Sequence, residues 1–170
     1  MEFPQTVGGF ERNEVARFST GSSDVAVNYR LIASNSAIDA TVYLMHEPLL
    51  TTLGLAPEAA ESVRDTACRQ EFARRLHEIT VVDRAQTLSE EAIILQVGGE
   101  RRHGRLARFA YQAKFAGESQ ELHSELARFC FAGGNWSVEY RFSYPADIVA
   151  AGWIAGFVAG LQWTGTLASP

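Results

Sequence analysis

No apolar run in this chain reaches the roughly 20 residues that a membrane-spanning helix needs, and no Lys or Arg cluster flanks the longest, Ile148 to Trp163. Membrane insertion is set aside on that ground, and a helix buried on the chain's own sheet is expected instead. Cysteine is scarce: Cys68 and Cys130 are the only two, in a chain of 170 residues that is too long to need a disulfide scaffold. Two buried free thiols are the expected state, because unpaired Cys is among the most buried residue types, and a helix-to-sheet disulfide is the alternative. Basic stripes are missing too. With a net charge of -5, the chain repels phosphate backbones, which excludes nucleic acid as a partner. The opening MEFPQTVGGF lacks the basic-then-apolar order of a signal peptide. This reads as a cytoplasmic protein, or as an exported one if Met1 is not the natural start.

The usual arrangements of reactive side chains are also absent. His46, His77, His103 and His123 have no second His or Cys at the two- to four-residue spacing that recurs in zinc sites, so no metal and no cofactor is expected. His46 and His123 could still converge across a sheet with Glu47, Glu121 or Glu125. Ser22, Ser23, Ser34 and Ser36 sit in turn-like segments with no base beside them. Gly8-Gly9 and Gly98-Gly99 lack the strand-loop-helix order and the Lys of a phosphate cradle. No catalytic residue is assigned.

What the chain does contain is period-two alternation. In Trp136 to Tyr144 every second residue is large and apolar or aromatic and the residues between are polar, the pattern of a strand with one buried and one wet face. The same pattern marks Asp24–Ile32 and Ala37–His46, then Ile93–Val97, Phe109–Phe115 and Leu122–Phe131, and Val15–Ser19 is a candidate short strand. Gly133-Gly134-Asn135 is the strongest turn signal. Between the two groups of strands, Pro57-Glu58 opens a helix expected to run to about Ile79. Val63, Ala67, Cys68, Phe72, Leu76 and Ile79 form its apolar stripe. The last helix carries Gly152, Gly156 and Gly160 beside Ala151, Ala155 and Ala159. That small-residue ridge predicts close approach to the sheet, with Trp153, Ile154, Phe157, Val158 and Leu161 filling the core.

These elements predict a single α+β domain over residues 1–170: a twisted antiparallel sheet of about six or seven strands packed with two main helices. The alternation also predicts one polar sheet face, on which Arg30, Tyr43, Arg108, Lys114, Glu139 and Arg141 would form a mixed-charge contact surface.

Three stretches carry a resemblance. Phe3-Pro4 to Gly9-Phe10-Glu11-Arg12, the strand end Ala40 to Leu44, and Trp136 to Pro145 resemble an uncharacterised bacterial domain family. Its members show an FP..GGF.R opening, a TVY strand and a last strand ending in R.TYP. The resemblance implies an architecture similar to the PsbP-like class, whose members serve as assembly factors, chaperones or binding modules, and it implies export for many of them. It transfers no functional residues.

The leading expectation is therefore a non-enzymatic binding or assembly module that contacts a protein partner through the polar sheet face or the Leu49 to Leu55 loop. The alternative is a carrier of a small apolar ligand or lipid. Its cavity would lie between sheet and helices, lined from Phe109, Tyr111, Phe115, Phe129, Phe131, Trp136, Tyr140 and Phe142. An enzyme of unknown reaction ranks third. A second copy of the chain is a further candidate partner.

Overall fold

The computed structural model describes residues 3–18, 24–33, 36–46, 54–97, 100–130 and 136–161. Eight strands form one antiparallel sheet, more than the six or seven expected. They are β1 (Thr6–Val7), β2 (Phe10–Arg17), β3 (Val25–Ala33), β4 (Ser36–His46), β5 (Gln86–Val97), β6 (Glu100–Phe115), β7 (Glu118–Cys130) and β8 (Trp136–Pro145). Their order is β1-β2-β3-β4-β8-β7-β6-β5, two meanders joined where β4 meets β8. The additional strand is β1, whose two residues are too few to show alternation. Tight turns set the hairpins: Gly8-Gly9 and Ala116-Gly117 both have positive φ at their two central positions, which matches the right-handed twist of the flanking strands. The expected turn at Gly133-Gly134-Asn135, the Gly98-Gly99 tip, and Leu49 to Leu53 of the expected contact loop lie outside the described residues.

Helix α1 (Pro57–Val82) carries the chain from central β4 to edge strand β5 across one sheet face. It is three residues longer at its end than expected. Phe72 and Ile79 are buried against Ala107, Phe109 and Leu126, and Ala60 is buried as well, whereas Val63 of the predicted stripe is exposed. Cys68 is bonded to Cys130 at the end of β7, so the free-thiol expectation is corrected. The physical reason is placement: the α1 stripe lies over β7, and the two Cα atoms come within 5.7 Å, inside disulfide range.

Helix α2 (Ala151–Gly160) lies on the opposite face. Phe157 is its plug, buried edge-on among the rings of Phe10, Tyr29, Tyr140 and Phe142. Among the described residues no helix is long and apolar enough to cross a membrane. Of the small-residue ridge, Gly160 alone makes the close approach expected. A Cβ at Gly152 or Gly156 would meet nothing within 4 Å. The close approach comes from the other partner, the β1–β2 turn. There a Cβ on Gly8 would sit 2.7 Å from the Phe157 backbone nitrogen, and one on Gly160 would sit 2.8 Å from Val7. Trp153, expected in the core, is half exposed; it stands one turn before Phe157 with its ring beside the Gly9 turn.

Candidate functional site

Register decides which side chains share a face, because residues directly opposite each other in an antiparallel sheet point the same way. Following Arg108↔Glu125, Glu125↔Phe142, Ala40↔Phe142 and Tyr29↔Ala40 puts Arg108 on the α2 face. Following Phe109↔Ser124, Ser124↔Ser143, Asp39↔Ser143 and Arg30↔Asp39 puts Phe109 on the α1 face. The six residues expected to make one contact surface are thus split. Arg30, Tyr43, Glu139 and Arg141 lie on the α1 face, while Arg108 and Lys114 lie on the α2 face. Alternation within each strand is as read from the sequence. The phase of β6 relative to β8 is opposite to that assumed.

On the α1 face the polar residues are largely covered. Glu139 has no exposed surface; it accepts hydrogen bonds from Arg75 of α1 and from Arg128 of β7, each at 2.9 Å. Arg128, only 2% exposed, also approaches Glu71 at 4.0 Å. Arg141 donates to Asp83 just past the end of α1 at 2.5 Å. Tyr43 lies under the Arg75 guanidinium, 5.6 Å from ring centre to Cζ, and stacks on Phe18. Hydrogen bonding to Arg74 is the main reason the Glu71 carboxyl is held below its ordinary pKa, with burial opposing it and Arg128, Arg74 and Arg75 adding to it. Arg30 alone of these four stays exposed, and both its forked nitrogens are taken by Asp39. Arg75, Glu71 and Asp83 fasten the helix to the sheet through Glu139, Arg128 and Arg141.

The α2 face differs. Between α2 and strands β5 to β8 a half-open groove of about 270 Å³ remains. Ile93 and Leu95 of β5, Phe129, Tyr140 and Phe142 line its floor, and Ala155 and Val158 its roof. Gly104 contributes indirectly. A Cβ there would lie 2.5 Å from the Phe129 ring, so only glycine lets that ring settle over β6.

One wall is polar. Arg108 donates to Glu91 at 2.5 Å and lies 3.5 Å from Glu125, while the Tyr144 hydroxyl donates to Glu125 at 3.0 Å. The Glu91 hydrogen bond is the main reason Arg108 is held protonated above its ordinary range. Burial, with Glu125 second, pushes the Tyr144 hydroxyl well above its ordinary value, so it remains a hydrogen-bond donor. Of these four, Arg108 and Glu125 line the groove, one charge of each sign.

Of the aromatics expected to line a cavity, Phe129, Tyr140 and Phe142 do so. Phe109, Tyr111 and Phe115 face α1 instead, and Trp136 packs at the far end of β8 against His46. Phe131 lies outside the described residues. Ile93, Leu95, Glu125 and Ala155 were not expected to line a cavity, because only pairing register and the seat of α2 bring them together. The histidines do not converge. His46 pairs with Trp136 and His123 with Tyr144, eight positions apart on β8, or about 27 Å at roughly 3.4 Å per residue. No group of His, Cys, Asp and Glu that could hold a metal ion occurs among the described residues. In comparisons with known proteins, no family model and no curated protein matches the chain.

Proposed function

We propose that the protein is a non-enzymatic binding protein that carries a small apolar molecule in the groove between α2 and the β5–β8 half of the sheet. The observation that carries this reading is the groove itself: an apolar recess with a single polar wall on a face otherwise filled by aromatic packing. Sites for small molecules combine those two features, with volumes of roughly 300–1,000 Å³. At about 270 Å³ this one suits a short chain or a single ring system. The Arg108–Glu125 pair in its lining carries one charge of each sign, which suits a neutral polar head over an anionic or cationic one. The contact surface expected on the α1 face is not carried forward, because α1 occupies its centre.

The same proposal places the protein in an oxidising compartment, where the Cys68–Cys130 bond persists. The resemblance to PsbP-like binding modules points in the same direction and remains part of the proposal.

The test is titration by calorimetry with a matched series of medium-chain amine, alcohol and carboxylate, using wild type and Ala155→Phe. Ala155 lines the roof, so a phenyl ring there should fill the groove. The alcohol should bind wild type more tightly than the amine or the carboxylate, and Ala155→Phe should lose binding while keeping its circular dichroism. Equal heats from the two proteins, or no binding of any member, would remove the groove as the site.

A further inference from the structure

Charge in the groove is confined to one end. Among the described residues that line it, Arg108 of β6 and Glu125 of β7 are the charged ones, and they stand opposite each other in register. Along the same face of each strand, Leu106 comes next on β6, and Ala127 and Phe129 on β7, all of them apolar. At the far end Leu95 pairs with Arg102, which does not line the groove, while Ser89 pairs with Arg108. Leu95 is therefore roughly 20 Å from the charged row, at about 3.4 Å per strand residue.

The charged pair is spaced rather than closed. Arg108 Nε and Glu125 Oε2 are 3.5 Å apart, longer than the roughly 2.7–2.9 Å of a charged hydrogen bond. Among the described residues Arg108 donates to Glu91, and Glu125 accepts from Tyr144 through Oε1. A guanidinium and a carboxylate each take several hydrogen bonds, so both keep capacity to spare.

Resting on the groove as the binding site, we infer that its ligand has a head that both donates and accepts a hydrogen bond, a hydroxyl or a primary carboxamide, held between Arg108 and Glu125. The apolar part of the ligand runs along the strands toward Leu95. Glu125 Oε2 accepts from the head, and Arg108 donates to the head's oxygen. The Tyr144 hydroxyl holds Glu125 by its other oxygen, which leaves Oε2 for the ligand. An ether, ester or tertiary amide offers an acceptor alone. Covering Glu125 with such a group takes water from the carboxylate and returns no hydrogen bond, which is how a polar site rejects an analogue that lacks its donor.

The experiment is calorimetric titration with a medium-chain primary alcohol and its methyl ether. It uses wild type, Ala155→Phe, Leu95→Trp and the double variant Arg108→Met/Glu125→Met, with circular dichroism confirming folding. Wild type should bind the alcohol about tenfold more tightly than the ether, against the order of their hydrophobicity. Leu95→Trp fills the apolar end and should weaken both ligands alike. The double variant removes both charges together and should bind the two ligands with similar affinity. If wild type binds both equally and Ala155→Phe binds neither, the inference is overturned while the groove stands as the site; this comparison does not depend on the double variant folding. A preference that survives in the double variant, or that Leu95→Trp abolishes, overturns it as well. No binding to wild type, or binding that Ala155→Phe leaves intact, removes the groove and the inference together.

Discussion

The two faces of this sheet are fastened to their helices by different physics. On one face a long, charge-rich helix is held at discrete points: the Arg75–Glu139–Arg128 cluster, the Arg141–Asp83 pair and the Cys68–Cys130 bond. On the other, a ten-residue helix with no charged side chain is held mainly by one aromatic plug, Phe157, and by backbone contact with the β1–β2 turn. Directional contacts leave α1 one position. A nonpolar contact at one end of α2 leaves room beside it, and that room is the groove. The covered polar face is thus the structural one, and the apolar face carries the candidate site.

The comparison breaks most visibly at Glu139. Glu139→Ala leaves Arg128 buried without its carboxylate and should cost about 3–5 kcal/mol in urea unfolding, while adding Arg128→Met should recover part of that loss. A loss below about 1 kcal/mol would mean that the cluster is not what holds α1.

Next comes the covalent link. The double variant Cys68→Ser/Cys130→Ser should lower stability by about 4 kcal/mol, the loop-closure expectation for a bond spanning 62 residues. Because the bond is on the α1 face, amphiphile binding in the groove should be unchanged. Parallel loss of binding would show that the faces are not independent.

The smallest effects sharpen the α2 side. Gly8→Ala meets both a positive φ of 57° and the Phe157 backbone, and should cost about 2–3 kcal/mol. Gly156→Ala meets open space inside a helix and should stabilise by up to about 1 kcal/mol. Equal thermal shifts for the two would return the close contact to the helix's own small-residue ridge.

The strands were legible because alternation is a property of each segment by itself. Trp136–Tyr144 reads as a half-buried strand from its residues alone, and β8 forms there, although both of its faces are covered from Ser137 to Tyr140. The face shared by two strands was not legible in the same way. Phe109 and Tyr140 each sit in a clean alternating run, yet they point to opposite sides of the sheet. The phase between runs is set by hairpin register, which no single run contains. Glu139 illustrates the same limit: as a polar residue in an alternating strand it read as wet, but a helix 64 residues earlier supplies the arginine that lets it be buried.

By itself, then, the sequence determined the periodic elements, the α+β class, the first helix start at Pro57-Glu58 and the absence of metal-ligand spacing, all of which rest on local pattern. Only the tertiary structure decided that Cys68 meets Cys130, that Arg108 and Glu139 part company across the sheet, and that Gly8 is the residue touching α2. It also decided that Ile93, Glu125 and Ala155 surround one recess. Each of these depends on the register and crossing of elements distant in the chain, where the energy of a contact is shared between residues that carry no local record of each other.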